Sequence, residues 1–221
     1  MKQGNSIPAS LQHSVFLPTN TSGKIPTVVA FHGRGADEDD LANLLLALEL
    51  PNVILITPRA PFPFEYGGYA WYKVGEEGVP ESATFTASLN LLQKFMDEIK
   101  SGYPINPERM MLLGFSQGTA MAYALGLLHP SSFQGIAALS GYIPLKSGLP
   151  LQLTKLNGFL IFISHGSNDM VIPVRFGREA AEIFNHAGAE LTYREYPIGH
   201  EVSEATVRDL REWLMKTLLT N

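Results

Sequence analysis

Continuous apolar runs of strand length punctuate the chain. Residues 27–31 lie between Pro26 and Gly33, residues 53–57 end at Pro58, and residues 109–113 lead into Gly114. Two more cover 134–140 and 159–164. Runs without polar alternation are apolar towards both faces, as strands buried on both sides must be. Residues 14–17 read as an edge strand closed by Pro18 and the turn-rich segment 19–23, and residues 190–196 alternate as a further strand. Between the strands the period changes. Phe85, Leu89, Leu92, Met96 and Ile99 fall on one stripe, which predicts an amphipathic helix over 83–100. Pro173 suits a helix start, and residues 174–187 follow as that helix, ended by Gly188. Residues 202–219 close the chain as a helix with Val207, Leu210, Leu214 and Leu218 on one side. Strands alternating with helices predict an α/β fold, a mostly parallel central sheet with helices on both faces. No linker, repeat or low-complexity tract interrupts the pattern, so residues 1–221 are expected to form a single domain.

The segment Gly114-Phe115-Ser116-Gln117-Gly118 joins the strand at 109–113 to the helix-forming residues 119–125. A serine at the tip of a sharp strand-to-helix turn is a nucleophile elbow. Side chains two residues either way would clash in so tight a turn, which explains glycine at both places. The helix that starts behind the serine points free N–H groups and its positive dipole end at the reacting atom. An ordinary glycine-rich turn carries the same short motif, so the rest of the chain must supply the partners.

Ligands in such sheets bind at the carboxyl ends of the strands. Asp169 follows the strand at 159–164, and His200 follows the strand at 190–196. The order Ser116, Asp169, His200 is the α/β-hydrolase order. Serine is a weak nucleophile until a base takes its proton, which a neutral imidazole does near pH 7, and an aspartate holds that imidazole in the correct tautomer. Of the other histidines, His32 reads as a brace of its turn and His165 as an orienting or structural residue of the acid's loop. His13, His129 and His186 read as surface or helix-end residues. Glu195 and Glu201 flank His200 as rival acids, but a carboxylate adjacent in sequence is badly placed to reach the ring. An oxyanion hole needs two backbone N–H groups. One is expected from Gln117, the other from His32-Gly33-Arg34-Gly35, the turn after the strand at 27–31.

Composition narrows the rest. The chain has 221 residues, 45% hydrophobic and 17% charged, which suits a globular core. A net charge of −5 gives no reason to expect nucleic acid or an anionic membrane as partner. The absence of cysteine excludes disulfides, cysteine-ligated metal and a thiol nucleophile. Residues 1–10 are polar and no apolar run approaches membrane-spanning length, so a cytoplasmic location is expected. The acidic run 37–40 reads as the first turn of a helix that continues through the leucine-rich 41–50, in preference to a metal site. No cofactor or metal is expected. The partner is a small-molecule ester, and the oligomeric state is left open, a homodimer included.

The chain resembles the phospholipase/carboxylesterase family of small α/β-hydrolases, which includes bacterial carboxylesterases and acyl-protein thioesterases. The resemblance rests on residues 31–37, Ala70-Trp71-Tyr72, 114–118, 165–169 with Val171-Ile172-Pro173, and Gly199-His200-Glu201. It implies the α/β-hydrolase fold and a serine carboxylesterase with Ser116, Asp169 and His200 as catalytic residues and the N–H groups of Arg34 and Gln117 as oxyanion donors. Thioester or lysophospholipid hydrolysis at the same site, a peptidase, and a non-catalytic ligand-binding protein on the same scaffold are the rival readings. Residues 141–158 are too short for a cap domain. Cover is therefore expected from the aromatic stretch Phe62 to Tyr72 within the loop 58–80, with Phe64, Tyr66 and Trp71 as candidate pocket walls.

Overall fold

The computed structural model describes residues 1–19, 22–76 and 79–219. Asn20 and Thr21 of the turn expected over 19–23, and Glu77 and Gly78 of the aromatic loop, lie outside the described residues. Eight strands form the central sheet: β1 (Lys2–Gln3), β2 (His13–Leu17), β3 (Ile25–Phe31), β4 (Ile54–Pro58), β5 (Ile105–Phe115), β6 (Gly135–Leu139), β7 (Leu160–Gly166) and β8 (Glu190–Tyr196). Their order is β1-β2-β4-β3-β5-β6-β7-β8. The last six run parallel, and β2 is antiparallel to both its neighbours.

Alternation within the buried strands sorts their side chains onto two faces. Val29, Phe31, Leu112, Ile136 and Ile161 join one apolar cluster, covered by α2 (Ser82–Gly102), α3 (Gln117–Leu128) and α4 (Arg175–Ala187). Val28, Ala30, Leu113, Leu139 and Phe162 join the other, covered by α1 (Asp40–Ala47) and α5 (Glu204–Leu218). Local chemistry sets the helix ends. The Glu81 carboxylate accepts the Thr84 N–H at the start of α2, a Ser203–Thr206 capping box opens α5, and Gly188 closes α4 at φ +79°. Helix α3 is buried over residues 117–127 and carries no polar stripe, because it sits between the sheet and its neighbours.

Two expectations are corrected. Strand β2 is not at the edge, because β1 pairs beyond it. Two exposed polar residues carry no apolar period to betray a strand. In the acidic run, α1 begins only at Asp40. Asp39 accepts the Ser14 hydroxyl (2.8 Å), and Glu38 is buried, accepting Nε and Nη2 of Arg59 at 2.6 Å each and Nε2 of Gln12 at 2.9 Å. Burial alone would raise the Glu38 carboxyl, but the Arg59 guanidinium outweighs it and holds it below the usual range. This pair fastens the loop after β4, since Arg59 also stacks on the Tyr69 ring (4.5 Å) and donates to its hydroxyl (3.0 Å).

Glu38→Ala would strand that guanidinium. Because Arg59 keeps some contact with water, the cost falls at the low end for a broken buried pair, about 2–3 kcal/mol. Urea unfolding measures it, and a change under about 0.5 kcal/mol would leave the pair no anchoring role.

Candidate active site

The elbow is held by a lack of space. Ser116 has φ 54° and ψ −118°, a strained conformation for a residue with a side chain. A Cβ on Gly114 would come 2.5 Å from the Gly118 carbonyl oxygen and the Thr119 backbone, and one on Gly118 would collide with the Phe31 carbonyl of β3. The Ser116 N–H donates to Leu139 of β6 (3.0 Å), and the Thr119 hydroxyl lies 2.7 and 2.8 Å from the carbonyls of Gly114 and Leu139.

The loops after β7 and β8 are laced together. N–H groups of Ser167 and Asn168 donate to the carbonyls of Tyr196 (2.8 Å) and Ile198 (3.0 Å). A Cβ on Gly166 would strike the Gly199 carbonyl, so this approach needs glycine. Asp169 Oδ1 accepts the N–H groups of Val171 (2.9 Å) and Ile172 (2.8 Å), which aims Oδ2 at His200 Nδ1, 2.7 Å away. His200 Nε2 lies 2.8 Å from Ser116 Oγ. With Nδ1–H donating to the carboxylate, Nε2 is free to accept the serine proton. The structure thus brings the three predicted side chains into one hydrogen-bonded chain, with the Asp169 side chain fully buried.

The rival histidines are placed elsewhere. His32 Nδ1–H donates to Gly33 (2.7 Å) and Nε2 accepts the Ala60 N–H (3.0 Å), bracing the turn after β3. His165 Nε2–H donates to Ile172 (2.7 Å), 3.5 Å from Asp169 Oδ2. His13, expected at the surface, is buried edge-on to Phe95 and Tyr103 and bonded to the Tyr103 hydroxyl (2.8 Å). Its strand is covered by α2, so a half-polar ring finds partners inside. His129 and His186 are exposed at helix ends. Of the rival acids, Glu201 is exposed and Glu195 is engaged by Arg178 (2.7 and 2.8 Å), which holds its carboxyl down at about 2.

Gln117 opens α3, so its N–H has no acceptor within the helix. Its side chain does something the sequence did not signal. Oε1 accepts the Trp71 N–H and Nε2 donates to the Tyr72 carbonyl, both at 2.7 Å, so the aromatic loop is tied to the elbow. Arg34 follows Gly33, which packs against Ser116, and shares with Ser116 and Gln117 a cleft of about 220 Å³ that Tyr72, Tyr142 and Ile172 also line. A groove of about 410 Å³ adjoins it through Arg34, Tyr72 and Val74 and adds Phe62 and Phe64.

Of the three expected wall residues, Phe64 lines this groove. Tyr66 is 84% exposed and lines neither space, its ring set edge-to-face against Phe64 with centroids 5.4 Å apart. Trp71 is 0% exposed, and the pocket role expected of it is corrected. Its indole N–H donates to the His32 carbonyl (2.9 Å), a buried partner that draws the ring into the core. Two further walls are Tyr72, the last ring of the aromatic stretch expected to give cover, and Tyr142, which sequence reasoning missed, their hydroxyls 2.6 Å apart. Burial and Tyr142 raise the Tyr72 phenol well above its ordinary value, so it stays neutral. Tyr142 lies three residues beyond the end of β6, and the strand-end rule that found Asp169 and His200 would have found it. Among the described residues no group of three or more His, Asp or Glu side chains could hold a metal ion.

A model of the phospholipase/carboxylesterase family matches residues 18–218. The carboxylesterase SOBER1 of Arabidopsis thaliana is 30% identical over 207 residues, covering 86% of this chain and 90% of that protein. Acyl-protein thioesterase 1 of Candida albicans is 27% identical over 221 residues, covering 91% and 96%. Among solved structures, a carboxylesterase from Mesorhizobium loti superposes with a TM-score of 0.82 at 22% identity over 96% of this chain and 98% of its own. That likeness is one of fold.

Burial lowers the pKa of His13, His32 and His165 in the folded protein. An unfolded histidine protonates near pH ~6.5, so below that pH the unfolded state binds protons that the folded state refuses. Stability should therefore be intact above roughly pH 6.5 and fall as pH drops towards the folded values. Urea unfolding at pH 8, 7, 6 and 5 checks this, and a flat result from 8 to 5 would contradict it.

Proposed function

The chain belongs to the phospholipase/carboxylesterase family, and we propose that it is a serine hydrolase cleaving carboxylic esters of small substrates through an acyl-enzyme. The observation that carries this reading is the unbroken hydrogen-bond chain from Ser116 through His200 to Asp169. As Ser116 Oγ attacks the ester carbonyl, its proton passes to His200 Nε2, and Asp169 steadies the imidazolium that forms. Negative charge develops on the former carbonyl oxygen, which the N–H groups of Gln117 and Arg34 receive. Collapse breaks the bond to the alcohol, which departs with the proton from Nε2 and leaves the acyl group on Ser116. Water repeats the sequence, giving its proton to Nε2 and releasing the acid and the free serine.

A second reading is thioester hydrolysis, favoured by the acyl-protein thioesterase among the relatives. The same attack serves either carbonyl, and only the leaving group differs. A cytoplasmic setting fits both, and among the described residues no helix is long and apolar enough to cross a membrane. The cleft is walled by the loop after β4, the segment after β6 and, through Val171 and Ile172, the loop after β7. With no cap domain between β6 and β7, hydrolysis of soluble esters should need no interface.

A fluorophosphonate should label Ser116 alone, and Ser116→Ala should lose on the order of 10⁴-fold or more in turnover with an unchanged circular dichroism spectrum. Labelling of another serine, or activity surviving in the variant, would overturn the assignment. Matched esters and thioesters of graded acyl length then choose between the two readings.

A further inference from the structure

Arg34 occupies an unusual place for a cation. It lines both the Ser116 cleft and the adjoining groove, and its side chain is exposed there. Arg59, Arg178, Arg194 and Arg208 each lie within salt-bridge distance of a carboxylate. Among the described residues Arg34 has no such partner. Its guanidinium instead lies over the face of Phe64, 5.3 Å from the ring centroid. Stacking occupies the flat face of the guanidinium and leaves its in-plane N–H donors unspent. Lys73 lines the same groove, where Glu65 is the only carboxylate among the described lining residues, so two cations face one anion there.

We propose that the Arg34 side chain, held on Phe64, is an anion subsite that makes this enzyme prefer esters bearing a carboxylate a few bonds from the scissile carbonyl. The inference rests on the ester-hydrolase reading and adds the substrate class. A planar guanidinium with free donors binds a carboxylate in a bidentate fork, which neither a lysine nor an apolar wall reproduces. Phe64 fixes the plane of the fork, and Phe62 and Val74 supply an apolar floor for the carbon chain between ester and carboxylate. The backbone N–H of Arg34 would meet the carbonyl oxygen while its side chain meets the carboxylate, so one residue would measure the distance between the two groups.

Two pairs of probes test this. One compares the 4-nitrophenyl half-ester of glutaric acid with 4-nitrophenyl valerate, placing the charge on the acyl side. The other compares 4-carboxyphenyl butyrate with phenyl butyrate, placing it on the alcohol side. In at least one pair the wild type should favour the anion in kcat/KM by roughly 10- to 100-fold at low salt, the range of a charge-assisted hydrogen bond. Added salt should shrink the ratio, because the groove is open to solvent. Arg34→Met should bring the ratio close to one, and Arg34→Lys should keep part of it. Taking the ratio within each variant cancels any general loss from a disturbed turn, and the salt series on the wild type serves if Arg34→Met fails to fold. No preference in either pair, a ratio unmoved in Arg34→Met, or one abolished by Lys73→Met instead, would overturn the proposal. Loss of Ser116-dependent cleavage of the neutral esters would instead count against the hydrolase reading itself.

Discussion

The structure depends on one tight junction, where β5 turns into α3 against β3. Ser116 can stand in its strained conformation only because Gly114 and Gly118 bring backbone to backbone on either side of it. The strain is carried by what surrounds it: the Ser116 N–H and the Thr119 hydroxyl fix the turn to β6, and the apolar length of α3 fixes it to the sheet. Once that turn is made, the serine hydroxyl stands above the carboxyl edge of the sheet, and every other part of the site is a loop that reaches it from a neighbouring strand.

The loop after β4 shows how such a reach is secured. Its backbone would carry unpaired polar groups into the interior, and several find partners in side chains from other elements. Trp71 and Tyr72 are met by the Gln117 side chain, Trp71 again by Ser88, Ala60 by His32, and the loop's base by the pair of Glu38 and Arg59. This is a polar web inside an apolar shell, and such webs are stiff when complete. The wall of the cleft is therefore built on the same foundation as the nucleophile.

Sequence reasoning reached the parts of this site that follow from strand ends and chain order. Ser116, Asp169 and His200 are legible because each stands beyond the end of a strand, apolar for the first two and alternating for the third, and the glycines around Ser116 announce a turn with no room. The same reasoning failed where a residue's role depends on what crosses over it. Trp71 and Tyr66 look alike in a string of aromatics, yet one has a buried carbonyl to donate to and the other has none. His13 is hidden by Phe95 of α2 and by Tyr103 just beyond that helix, and nothing in the pattern of its own strand announces what lies over it. Glu38 carried the same charge as its neighbours, and only the arginine twenty-one positions on distinguishes it.

The lacing of the loops after β7 and β8 has a consequence for how the molecule can change. Acid and base are held at their separation by main-chain bonds between Ser167 and Tyr196 and between Asn168 and Ile198, and by the bare approach of Gly166 to Gly199. None of these contacts involves the loop after β4 or the segment after β6, which wall the cleft. The proton-handling half of the site and the walls built by those two segments are separate constructions, which meet at Ser116 and along Val171 and Ile172, whose N–H groups hold Asp169 while the residues also line the cleft. Those two segments can be rewritten in length and composition while the proton-handling half keeps its geometry, so a scaffold of this kind is suited to acquiring new substrates without rebuilding its chemistry.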